Sequence, residues 1–146
     1  MPIIGFNFDK ISAQRLNNLK GKVNINHTVN ITDVKREEIN LDKKQDVLKF
    51  EFEFKVDYLP DIGNISLIGS VLYMDDSKKL KEYEESWKKN KKIPSNLTTS
   101  IINTILVKSN VKALILSQDI NLPPQVQLPR ATVNSTNNIK SEDYIG

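Results

Sequence analysis

The sequence predicts an α+β domain in which a series of strands precedes two helices. Three observations carry that prediction. Leu48, Phe50, Phe52, Phe54, Val56 and Tyr58 alternate with Lys49, Glu51, Glu53, Lys55 and Asp57, and a strand sends successive side chains to opposite faces. Val23, Ile25, His27, Val29 and Ile31 alternate in the same way with Asn24, Asn26, Thr28, Asn30 and Thr32. From residue 77 onward the period changes: Leu80, Tyr83 and Trp87, then Leu97, Ile101, Ile102, Ile105 and Leu106, recur at helical spacing.

In chain order, Ile3, Ile4, Phe6 and Phe8 predict a short opening strand. Asp9 has N-cap chemistry, which places a helical turn or two within Lys10–Lys20, although Asn17-Asn18 favours a loop. The strand from Val23 ends near Thr32, and the charged stretch Lys35–Lys44 reads as a connection, partly extended. The Phe-rich strand then covers Val47–Tyr58 and pairs antiparallel with its predecessor. Leu59–Asn64, punctuated by Pro60 and Gly63, is a turn. The strand Ile65–Met74 differs from the others because both its phases are apolar. Ile68, Leu72 and Met74 occupy the phase that an antiparallel sheet would show to water. They are therefore the candidate contacts for a client or a second subunit.

Ser77 is the expected cap of the first helix, Lys78–Asn90. Ile93-Pro94 breaks the chain, and a second helix starts at Pro94 or Ser95 and runs to about Gln118. Its aliphatic face is the natural cover for the Phe stripe. Leu122–Pro129 holds three prolines and is expected to be extended against the body. Residues 1–130 read as one domain and 131–146 as a disordered tail.

Composition narrows the function. The 146 residues are 27% charged and 38% hydrophobic with no cysteine, which excludes disulfides, thiolate metal sites and a cysteine nucleophile. No apolar run approaches the ~20 residues of a membrane span, and no leader is evident, so the expectation is a soluble cytoplasmic protein. The net charge of +3 is too small to imply a nucleic-acid partner by itself. Active-site templates fail: His27 stands alone, no glycines have phosphate-loop spacing, and Glu51 and Glu53 are flanked by Lys49 and Lys55 as on a solvated face. Neither an enzyme nor a bound cofactor or metal is expected. The lysines of 78–92 offer an alternative reading as a nucleic-acid or protein adaptor, against which Tyr83 and Trp87 share the core-facing stripe of Leu80. A structural oligomer without a client is the third reading.

Three stretches carry a resemblance. Phe6-Asn7-Phe8-Asp9-Lys10-Ile11, Pro94-Ser95-Asn96-Leu97 and Asn121-Leu122-Pro123-Pro124, in this order across residues 3–130, resemble the SecB export-chaperone family, in particular its divergent archaeal members. The resemblance implies a four-stranded antiparallel sheet with helices on one face, assembled as a homotetramer. It also implies ATP-independent holding of unfolded or preprotein chains in apolar grooves. Bacterial members are acidic, which suits docking on the SecA motor. This chain is slightly basic and has Thr98, Thr99 and Ser100 where aromatic and charged residues usually follow the Asn-Leu anchor. Holding of clients is therefore carried over and a SecA partnership is not; some relatives serve toxin–antitoxin systems instead.

Overall fold

The computed structural model describes residues 3–133. Four strands, β1 (Ile3–Arg15), β2 (Asn24–Asn40), β3 (Lys44–Leu59) and β4 (Gly63–Tyr73), form one antiparallel sheet in the order β1-β4-β3-β2. Helices α1 (Ser77–Asn90) and α2 (Ser95–Asp119) lie on a single face. The tail expected over 131–146 lies, from 134 on, outside the described residues.

The alternation of β3 translates directly into packing. Leu48, Phe50, Phe52, Phe54, Val56 and Tyr58 are all completely buried. In register beside them on β4 stand Tyr73, Val71, Gly69, Leu67, Ile65 and Gly63. Leu80 of α1 and Ile101 and Ile105 of α2 close the core at the Phe50–Phe52 end. Ala113, Leu106, Leu116 and Leu122 close it at the Phe54–Tyr58 end. Small residues, Ser109, Ala113 and Ser117, continue the buried line of α2 from Ile105, so the helix backbone can approach the sheet closely there.

Two strands are longer than their sequences predict, for one physical reason. A β-bulge adds an unpaired residue and moves the apolar phase to the other parity. In β1, Phe6 and Phe8 pair with Val71 and Gly69; the register then slips between Phe8 and Lys10, so that Ile11 and Ala13 pair with Leu67 and Ile65 on that same face. The expected helical turn within 10–20 is thus strand as far as Arg15, and Asp9 marks a bulge, not a cap. In β2 the slip lies between Ile31 and Asp33, after which Val34 faces Phe50. The strand runs on to Asn40 through the stretch expected to be a connection, and the turn is confined to residues 41–43. His27 shares the helix-side face, opposite Val56, with its ring centroid 6.5 Å from that of Phe54, yet it is exposed because β2 is an edge strand.

Helix α1 differs at its start. Asp76 occupies the cap position without a side-chain cap bond, and Ser77 is the first helical residue, its hydroxyl donating to Asp46 at 3.1 Å. Asp75 is engaged by the Tyr73 hydroxyl at 2.7 Å and by the Asp76 amide at 2.8 Å. Burial raises the Asp75 carboxyl, but these two hydrogen bonds together with nearby positive charge, Lys79 included, outweigh it and hold its pKa below the ordinary value. After α2, the Tyr58 hydroxyl donates to the Pro123 carbonyl at 2.7 Å and Gln125 donates to the Asn110 carbonyl at 2.7 Å. These bonds fasten the proline stretch to the body, as its composition leads one to expect.

Both core tyrosines make stability depend on alkaline pH. Burial pushes the Tyr58 phenol up to about 12. Tyr73 is raised too, first by burial and then by its bond to Asp75. A phenol whose pKa is higher folded than unfolded gives stability that is complete below about pH 10 and disappears as pH rises through the folded value. Urea midpoints are expected to fall steeply from pH 10 toward 12, and less steeply in Tyr58→Phe. A flat profile through that interval refutes the assignment.

Candidate functional site

The described residues place no three His, Cys, Asp or Glu side chains where they could hold a metal ion together. A hollow of about 650 Å³ beneath the C-terminal stretch is lined by Ile25, Val126, Leu128 and Arg130 among others, and gathers no titratable cluster. The features with functional content among the described residues are three apolar surfaces.

The first holds the residues singled out from sequence. Ile68 and Leu72 project from β4 to the face away from the helices, and Met74 follows the strand end in the same phase. Among the described residues no helix covers this face, and all three are half-buried. Their shelter is local. Leu72 stands opposite Gly5, where a Cβ would come to 3.2 Å from Leu72 Cδ1, so the missing side chain makes room for the leucine. Ile68 lies between Lys10 of β1 and Glu53 of β3, whose long aliphatic stems can lie against it. Buried Ser70 separates Ile68 from Leu72, so the three do not form a continuous stripe. By register, Leu72 and Met74 instead neighbour Val47, which is fully buried, in one corner of the sheet. The surrounding face is ionic: Lys35 pairs with Glu51 at 3.3 Å, Lys49 with Glu37 at 3.5 Å and Lys55 with Glu53 at 3.7 Å.

The second surface is the rim of β1. Among the described residues this strand pairs only with β4, which places the backbone groups of its other side at the sheet edge. Ile11 is in the core phase yet remains 45% exposed, because α2 passes mainly over β3 and β4. Ile4, and Leu16 and Leu19 beyond the strand, are also exposed. The two bulges of β1 limit indiscriminate pairing but leave Gly5–Phe8 and Lys10–Arg15 as regular stretches. The opposite edge, β2, carries Lys35, Arg36, Glu37 and Glu38, with Arg36 held by Glu84 at 3.5 Å. Sequence periodicity missed the β1 rim because the bulge hid that Ile11 continues the phase of Phe6 and Phe8.

The third is the outward side of α2. Val107 is 67% exposed, Val111 60% and Ile115 50%. These residues recur every four positions, as the buried Ile101, Ile105, Ser109 and Ala113 do, so over its C-terminal half the helix is at least as apolar outside, with Val107, Val111 and Ile115, as inside, with Ser109, Ala113 and Ser117. The expectation that no segment resembles a membrane span is corrected in one respect: by length and composition alone α2 could cross a membrane, with 22% of its most apolar stretch buried. The available signal was that α2 contains only Lys108, Lys112 and Asp119 as charged residues, all on one flank.

The lysine-rich segment 78–92 is arranged otherwise than for base stacking. Leu80 is buried and Tyr83 and Trp87 pack against the core, as their spacing predicts. The ammonium of Lys91 sits over the Trp87 ring, 5.2 Å from its centroid. No family model, curated protein or solved structure matches this chain.

Proposed function

We propose that the chain is an ATP-independent holdase of the SecB-like kind, which binds unfolded or preprotein segments as a homo-oligomer in a cytoplasmic setting. The observation that carries this reading is the β1 rim: a strand at the edge of the sheet, its outer backbone groups unpaired by any strand among the described residues, beside Ile4, Ile11 and Leu16. An extended polypeptide added at such an edge gains main-chain hydrogen bonds whatever its sequence, while its apolar side chains alternate onto the exposed isoleucines. This combination is what an unselective holder of unfolded chains requires. The α+β fold and its one-sided helix layer are consistent with the resemblance and do not require it. The adaptor reading draws less support, since Tyr83 and Trp87 are engaged by the core.

The test is suppression of light scattering from a reduced, unfolded client without nucleotide, expected at near-stoichiometric amounts. Ile11→Lys should weaken suppression severalfold while leaving the circular dichroism unchanged. Leu72→Asp separates the roles of the outer sheet face: lost holding in an intact assembly makes it a client groove, and dissociation makes it a subunit contact. No suppression by a several-fold excess of protein refutes the proposal, and a monomer in light scattering refutes its oligomeric part.

A further inference from the structure

We infer that the outward side of the helix layer docks on the surface of an anionic phospholipid bilayer. The inference combines the bare apolar line of α2 with the way charge is divided between the two layers. From Ser77 to Asp119 there are nine lysines and four carboxylates, a net of +5; the rest of the described chain has eleven basic and twelve acidic residues, a net of −1. All of the excess positive charge therefore lies in the layer that also carries Val107, Val111 and Ile115.

The distribution within the layer fits a membrane interface. Lys88, Lys89, Lys91 and Lys92 are exposed at the end of α1 and lead into α2. On α2 the exposed line Ser100, Asn103, Val107, Val111, Ile115 and Gln118 is uncharged, and the exposed charged residues of the helix are Lys108 and, at its last position, Asp119. Lys108 leaves that surface by turning toward β1, with its ammonium 5.5 Å from the Phe6 ring centroid. An apolar helix side flanked by lysines is held at a bilayer surface by burial in the headgroup boundary and by attraction to anionic lipid. The helix lies in the plane of the interface and does not cross, because Ile101 and Ile105 are fully buried against the sheet. A second copy placed helix layer to helix layer would instead oppose two surfaces of the same sign. Duplex nucleic acid would satisfy the lysines and leave the valines in water.

The experiment is co-sedimentation of the full chain with phosphatidylcholine vesicles and with vesicles also containing phosphatidylglycerol. Binding is expected only with the anionic lipid, and should fall about tenfold or more between low and high salt, as screening shortens the reach of the lysines. Val111→Asp, at an exposed position that does not contribute to the core, should lower vesicle binding about tenfold, and Lys89→Glu with Lys92→Glu should do the same. Equal binding to neutral vesicles, absence of binding, or full binding by Val111→Asp overturns the inference. So does binding of duplex DNA without binding of vesicles, or conversion of a dimer to a monomer by Val111→Asp in a protein that ignores vesicles. The assay contains no unfolded client, so its outcome is independent of the holdase proposal.

Discussion

Replacing Gly69 by alanine is expected to loosen β1 from the sheet and to cost about 3 kcal/mol, the upper part of the range for overpacking. Gly69 sits on the helix-side face of β4, between Phe8 of β1 and Phe52 of β3. A Cβ there would overlap the Asn7 carbonyl oxygen and approach Phe52 Cζ to 3.0 Å. The Phe52 ring can yield, but the Asn7 carbonyl belongs to the paired backbone, so relief has to come from moving β1. Hydrogen exchange should therefore quicken first at the amides of Gly5–Lys10, ahead of those in the β3 centre. Because the β1 rim is the proposed client edge, the same variant should lose holding with most of its helix signal intact. Unchanged β1 protection together with an unchanged urea midpoint would refute this account of Gly69.

Phe52→Ala is expected to be more damaging, at about 3–5 kcal/mol, as for other large-to-alanine changes in packed cores. Phe52 is completely buried in the sheet centre. The Phe6 ring lies 5.3 Å and the Phe8 ring 6.3 Å from it, centroid to centroid, over the space that Gly69 leaves open. Removing Phe52 empties the point where β1, β3 and α2 meet, and little can collapse into it because its neighbours are aromatic or fixed on strands. Urea unfolding followed by circular dichroism measures the effect; a loss under 1 kcal/mol would show that the aromatic group is not the centre of the core. Phe54→Leu serves as the control, since it conserves more volume.

The two variants show where sequence and structure agree. The Phe stripe of β3 is legible because a regular strand between two neighbours must alternate, and the side facing the helices must be apolar throughout. The span of α2 is legible because Pro94 fixes its start and aliphatic residues recur through 25 positions. The candidate site was only partly legible. Ile68, Leu72 and Met74 do face away from the helices, yet Gly5, Ser70 and the neighbouring ionic side chains divide them and partly shelter them. The β1 rim escaped notice because Asp9 interrupts an alternation that resumes at Ile11 in the opposite parity.

The sequence by itself determined β3, β4, the two helices and which side of β3 had to be buried, since these follow from the spacing of apolar residues along the chain; the expected helical turn after Asp9 and the connection over Lys35–Lys44 were strand instead. Only the tertiary structure decided that β1 and β2 continue through their bulges, because a phase change looks the same as a strand end until the partner strand is in register. It also decided which side of α2 is left bare. A helix with Ile101 and Ile105 on one side and Val107, Val111 and Ile115 on the other has almost no preferred orientation of its own. The sheet selected the side whose small residues, Ser109, Ala113 and Ser117, permit close approach, and the larger valines and isoleucine were left facing outward.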